Sequence, residues 1–312
     1  MLSRSADHLF WVGRYVERAD FVVRILEATL RLAVVPSREG NADQAWRTAL
    51  DSSGAGALFD ASGRSVSEQA AREFLAFSTG NPSSISNCII AARTNARAVR
   101  TALTIELWEA INGAWNALED QGQPASRAEF GDFLSWVKSV TQSVEGAASR
   151  SMLRNDAYWF LRLGAALERA DNTARLLDVK YHLLLPEGEP VGGQLDYYQW
   201  TTLLRQVSAL TAYNWVYRDG VKPWLVADLL VLNRQMPRSL ASCQAAIVDA
   251  LERLAADYGR RGPAQRLATA RLGKLEEASI DAIFQSGLHE FIEDFLAGNN
   301  QLGQTITEQY LT

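Results

Sequence analysis

Apolar positions in this chain fall into long seams with helical spacing. Leu9, Val12, Val16, Ala19, Val23, Leu26, Leu30 and Ala33 step by three and four, as in an amphipathic helix with one stripe against a core. Phe160, Leu163, Leu167, Ala170, Ala174, Leu177, Tyr181 and Leu184 repeat that register without a polar residue. Polar positions repeat at the same offset. Gly13, Glu17-Arg18-Ala19-Asp20 and Arg24 match Gly164, Glu168-Arg169-Ala170-Asp171 and Arg175. Two long helices on one template are therefore predicted over 3–35 and 152–185, stopped by Pro36 and Pro186.

At 100° per residue, Gly13, Glu17, Asp20 and Arg24 share an arc of roughly 60° beside the seam, with Arg18 on the opposite flank. A glycine there costs about 1 kcal/mol of helix propensity against alanine, and it lets another backbone or a ligand come close. Asp20 and Arg24 can pair, whereas Glu17 and Asp20 repel one another. Positive charge from elsewhere in the fold is required.

The remaining pattern is also helical. A short helix is expected over 43–50, a loop over 54–63, and a helix from a capping box at Ser65 and Glu68 to Phe77. Asn81-Pro82 opens the next helix, with a restart near Thr104 that runs to Leu118. A second capping box, Ser126 and Glu129, opens another helix. Past the linker-like stretch 187–193, helices are expected over 197–217, 223–232, 238–258, 263–284 and 288–310. No alternating strand pattern appears. The expected fold is all-α: one bundle-like domain over 1–312, about ten helices, its two longest related by pseudo-symmetry. Only the leading helix of each half repeats in this reading, so the chain is not a solenoid.

Composition narrows the function classes. The 312 residues carry a net charge of −5, against the basic face that nucleic acid requires. No apolar run is long enough for a membrane span. The first residues lack a leader's apolar stretch, so no signal peptide is expected. Cys88 and Cys243 sit in apolar helical contexts and read as reduced, buried thiols of a cytoplasmic protein.

The chemistry-bearing residues gather in stripes. Arg93, Arg97 and Arg100 follow their own seam at the offset at which Glu17 and Asp20 follow theirs. Packed together, they make either a structural salt-bridge network or an anion site with spare guanidinium donors. The candidate set is Glu17, Arg18, Asp20, Arg24, Arg93, Arg97, Arg100, Glu168, Arg169, Asp171 and Arg175. His8, His182 and His289 lack metal-ligand spacing, so no metal and no cofactor is expected. Magnesium held by facing carboxylates would be opposed by the interleaved arginines. No nucleophile triad is legible. Trp108, Trp159, Trp200 and Trp215 read as packing residues rather than an aromatic site.

Several blocks together resemble the bacterial Alpha-E family. They are Met1-Leu-Ser-Arg4 with Trp11-Val-Gly-Arg-Tyr-Val-Glu17-Arg18-Ala, and Asn81-Pro82-Ser-Ser-Ile85 through Ala92-Arg93-Thr-Asn95-Ala-Arg97. Phe160-Leu-Arg-Leu-Gly164, Glu168-Arg169-Ala-Asp171, Arg175-Leu-Leu-Asp178 and Met236-Pro237-Arg238-Ser239-Leu complete the set. The resemblance implies an all-helical cytoplasmic protein associated with a circularly permuted ATP-grasp protein, often also with a transglutaminase-like peptidase. It implies a setting of amide-bond chemistry on peptides and assigns no catalytic residue. Two functions follow as expectations. One is a helical accessory component of an ATP-grasp amide-ligase system. The other is an enzyme holding an anionic substrate in a bundle cleft by its Glu/Asp/Arg cluster. Open space beside the motif carboxylates would favour the enzyme, and a dry, paired network the accessory component.

Overall fold

The computed structural model describes residues 1–32, 42–122, 124, 126–182 and 193–312. Among these there is no strand, and the helices number fifteen. The first half holds α1 (Ser3–Leu32), α2 (Ala42–Ser52), α3 (Gly56–Ala61), α4 (Glu68–Ala76), α5 (Ile85–Ala98), α6 (Ile105–Gln121) and α7 (Arg127–Ser151). The second holds α8 (Asp156–His182), α9 (Gln194–Gln206), α10 (Leu210–Tyr217), α11 (Pro223–Val231), α12 (Leu240–Tyr258), α13 (Pro263–Glu277), α14 (Ile280–Ser286) and α15 (Leu288–Ile306). A π-helical turn, Thr307–Leu311, closes the chain.

Helices α1 and α8, the predicted twins, pack along one another. Their two glycines make this possible. A Cβ on Gly13 would stand 2.2 Å from the Leu161 carbonyl oxygen, and one on Gly164 would stand 2.0 Å from that of Phe10. Each glycine admits the backbone of the other helix, which outweighs its poor helix propensity. Around this contact Leu9, Phe10 and Val12 of α1 share a core with Phe160, Leu163 and Leu167 of α8. Farther along, Val23 and Leu26 share a second core with Ala170, Ala174 and Leu177. Helices α5 and α7 pack on α1, while α12 and α15 pack on α8.

Several boundaries differ from expectation, each for a local reason. The predicted loop over 54–63 contains α3, which buries Phe59 against Phe74. The cap of α4 is Ser67, whose side chain accepts from the Ala70 amide, rather than Ser65. Asn81 holds its own turn, accepting from the Ser83 amide and donating to the Phe74 carbonyl, and Ser84 caps α5. Thr104 and the Ser126 capping box start α6 and α7 as expected. The helix expected over 197–217 breaks at Ser208, which has a left-handed φ of 56°, and the one over 263–284 breaks where Ser279 caps α14. These two breaks, together with α3, turn the twelve stretches expected above into fifteen helices, against the overall expectation of about ten. The stops at Pro36 and Pro186, seam positions Ala33 and Leu184, and most of the linker-like stretch lie outside the described residues. Among the described residues no helix is long and apolar enough to cross a membrane.

Candidate functional site

Adjacent residues on a helix point about 100° apart, so Glu17 and Arg18 cannot pair within one motif. They pair across the α1/α8 contact. Arg169 Nη2 donates to Glu17 Oε2 at 2.7 Å, and Arg18 Nε donates to Glu168 Oε1 at 2.6 Å. Each motif's arginine therefore neutralises the glutamate of the other, and both glutamates are buried.

The second arginine at each glutamate differs. Glu168 receives Arg14 from one turn before Arg18, Nε to Oε2 at 2.7 Å. Glu17 receives Arg238 from the turn before α12, Nη1 to Oε1 at 2.6 Å, and the same guanidinium donates through Nη2 to Asp20 Oδ2 at 2.6 Å. Asp20 also accepts from Arg24 Nε at 2.6 Å and from the Thr141 hydroxyl at 3.3 Å. Arg24 further donates to the Gln206 carbonyl and to Ser208 Oγ, both at 2.9 Å, so the helix break at Ser208 places a free carbonyl where α1 can use it. In the twin motif Asp171 pairs with Arg175, Nε to Oδ2 at 2.6 Å.

Burial by itself would raise the pKa of both glutamates. Arg169 and Arg238 outweigh it at Glu17, and Arg14 and Arg18 outweigh it at Glu168, holding both carboxyls below the ordinary glutamate value. Glu145, reached by Arg162 and Arg169, is also lowered; its burial again opposes the shift, and Arg169 leads the groups that produce it.

Space opens beside the Glu17 centre. A cleft of about 320 Å³ lies beside Glu17 and Asp20, with Arg24, Arg169 and Arg238 in its wall. Glu145 and Arg162 complete its charged lining, and Val12, Val144 and Leu161 form an apolar side. Four arginines against three carboxylates leave the lining one positive charge in excess. Arg169 Nε is buried without a hydrogen-bond partner.

Residues 1–311 match the model of the Alpha-E family, described as a predicted alpha-helical domain with a conserved ER motif. The chain belongs to the Alpha-E family. Relatives of this Alpha-E chain include uncharacterized proteins of Mycobacterium bovis and of Mycobacterium tuberculosis strain CDC 1551. Each is 26% identical over 326 aligned positions, which cover 95% of this chain and 35% of the relative. The chain thus spans about a third of the length of the curated relatives it matches. No solved structure matches it.

The candidate residues Glu17, Arg18, Asp20, Arg24, Glu168, Arg169, Asp171 and Arg175 all lie along the α1 and α8 faces just described. The stripe expected to neutralise them does not reach them. Arg93 donates to Asn112 Oδ1 at 3.2 Å and covers the Trp115 ring at 4.1 Å, while Arg100 lies over Trp108 at 5.0 Å. Arg97 is exposed. Arg93 and Arg100 thus face α6, and the missing charge comes from Arg14 and Arg238 instead. Arg14 was legible as the residue one turn before Arg18. Arg238 had a fainter signal: Pro237, Ser239, Leu240 and Cys243 repeat the spacing of Pro82, Ser84, Ile85 and Cys88. Ser84 and Ser239 are both buried N-caps, of α5 and α12. Where the second copy has Arg238 the first has Ser83, which accepts from Arg18 Nη1 at 3.5 Å.

Cys88 and Cys243 are free and buried, and burial pushes each thiol up to about 12. Among the described residues no three His, Cys, Asp or Glu side chains converge as metal ligands. The four tryptophans set aside above stand apart from the cleft: Trp200 is buried and Trp215 is exposed on α10.

Proposed function

We propose that this Alpha-E domain is a helical binding component of an ATP-grasp amide-ligase system, and that the cleft beside Glu17 is where it binds. The observation that carries this reading is the chemistry of the cleft wall. A general acid or base works best with a pKa near the operating pH. Glu17 and Glu145 are instead held low by arginines, and the Cys243 thiol near them is pushed up to about 12. The wall offers fixed charge and donors, suited to holding a group rather than to moving its protons. The open cleft is the feature that an enzyme reading would also need, and the clamped state of its carboxylates weighs against that alternative.

The reading includes an internal duplication with an approximate two-fold axis between α1 and α8. The exchange of Glu17 and Glu168 between Arg169 and Arg18 supports it, as do the matched caps of α5 and α12. The role beside an ATP-grasp protein rests on the family's motif blocks. It agrees with the mycobacterial relatives, in which the matched region is one part of a longer chain.

Co-expression with the circularly permuted ATP-grasp protein of the same genome tests this reading. The two should co-purify, and ATP consumption on a peptide substrate should rise severalfold when this chain is present. Turnover unaffected by the chain, together with no co-purification, would overturn the proposal.

A further inference from the structure

We infer that the cleft beside Glu17 binds a small carboxylate of about amino-acid size. This deepens the reading of the cleft as a binding site and rests on it. The two motif centres differ in what precedes the motif. At Glu168 the side of α1 one turn before the motif carries Trp11 and Arg14. The Arg14 guanidinium covers the Trp11 ring at 5.0 Å while its Nε holds Glu168. The aligned positions on α8 are Arg162 and Ala165, and both line the cleft. Space filled by an arginine on an indole at one centre is left open at the other.

What remains in that space selects the ligand. Arg169 stands in the wall and spends Nη2 on Glu17 and Glu145. Arg162 spends Nη1 on Glu145 at 3.0 Å and stands at the partly open side. Planar guanidinium donors match the two oxygens of a carboxylate. The single excess positive charge suits one carboxylate group better than a phosphate dianion, which would bring a second negative charge against Glu145. Val12, Val144 and Leu161 supply an apolar wall for the rest of the molecule. The volume, about 320 Å³, is at the small end of ligand pockets, which run from about 300 to 1,000 Å³.

The carboxylate could belong to a free amino acid or to the end of a peptide, and one titration series separates these sources. Leucine, the peptide Ala-Ala-Leu and the C-terminally amidated form of each are titrated into the full chain, followed by calorimetry and by amide shifts. At least one free acid should bind at millimolar concentration or better, and its amide at least about tenfold more weakly. Binding of leucine alone assigns the free amino acid, and binding of the peptide alone assigns a chain end. Equal binding of acids and amides, or no binding of any, overturns the inference.

Two variants locate the site. Ala165→Leu fills the cleft and Arg162→Gln removes a donor, and neither touches the ion pairs of Glu17. Each should weaken binding by about tenfold. If Ala165→Leu proves unfolded by circular dichroism, Arg162→Gln alone decides. Unchanged affinity in every folded variant places the ligand elsewhere and overturns the assignment. The broader reading has a separate readout: if no carboxylate binds but a cleft variant weakens capture of the ATP-grasp protein, the ligand class falls and the binding component stands. If capture is also unchanged, both fall.

Discussion

At Glu168 both carboxylate oxygens are occupied by arginines of one neighbouring helix, and the residue is 3% exposed. Removing one partner from a buried ion pair typically costs about 3–5 kcal/mol, because the opposing charge is stranded. Glu168→Ala should therefore lower stability by about that amount, and Glu168→Gln by less, since it keeps shape and one acceptor. Denaturant unfolding of both variants checks this. The pH dependence has a definite sign. A carboxyl whose folded pKa is lowered adds stability that is complete above its unfolded pKa and fades as pH falls through the folded value. For Glu168 the window lies below the ordinary 4.5. The stability gap between wild type and Glu168→Gln should hold near neutrality and shrink as pH drops below that value. A gap independent of pH would mean that the arginine pairs do not govern its ionisation.

The α1/α8 contact depends on two positions without a Cβ. An alanine at Gly164 would gain about 1 kcal/mol of helix propensity but would press on the Phe10 carbonyl at 2.0 Å. Backbone cannot swing aside as a side chain can, and overpacking typically costs about 1–3 kcal/mol. Gly164→Ala and Gly13→Ala should each lower the thermal midpoint, and alanine at Gly113, which has open space around its Cβ position, should not. Equal effects at the three sites would show that the helices separate without cost. Element boundaries teach a related lesson. The Ser126 capping box and Thr104 work through side chains within three residues of the amides they satisfy, so sequence spacing predicts them. The break at Ser208 has no glycine or proline, and its carbonyl partner, Arg24, comes from α1.

Across the whole molecule, the two apolar cores are strung on the same two helices, since each contains residues of both α1 and α8. Loss of either core would release the rods that order the other. We expect one cooperative unfolding transition, with Leu163→Ala in one core and Leu177→Ala in the other shifting it together, each by about 2–5 kcal/mol. Calorimetry showing two separate transitions, each moved by only one variant, would divide the chain into two units. The same arrangement sets the paired motif residues between the two cores.

The all-helical class, the twin helices and the residues of both Glu-Arg motifs were legible in the sequence because helical periodicity is local. A seam of three- and four-residue steps needs no knowledge of what covers it. A glycine repeated in a polar stripe likewise announced a close approach, though not its partner. Which arginine meets which glutamate was decided only by tertiary structure. Arg93, Arg97 and Arg100 had the right offset but the wrong surroundings, since Arg93 and Arg100 meet Asn112, Trp115 and Trp108 of α6 and Arg97 is exposed. Arg238 is 221 positions from Glu17 and arrives by the packing of α12 on α8. The cleft has the same origin. A small side chain at Ala165 leaves space only because α7 and the turn at Ser208 enclose it, and no local pattern records that enclosure.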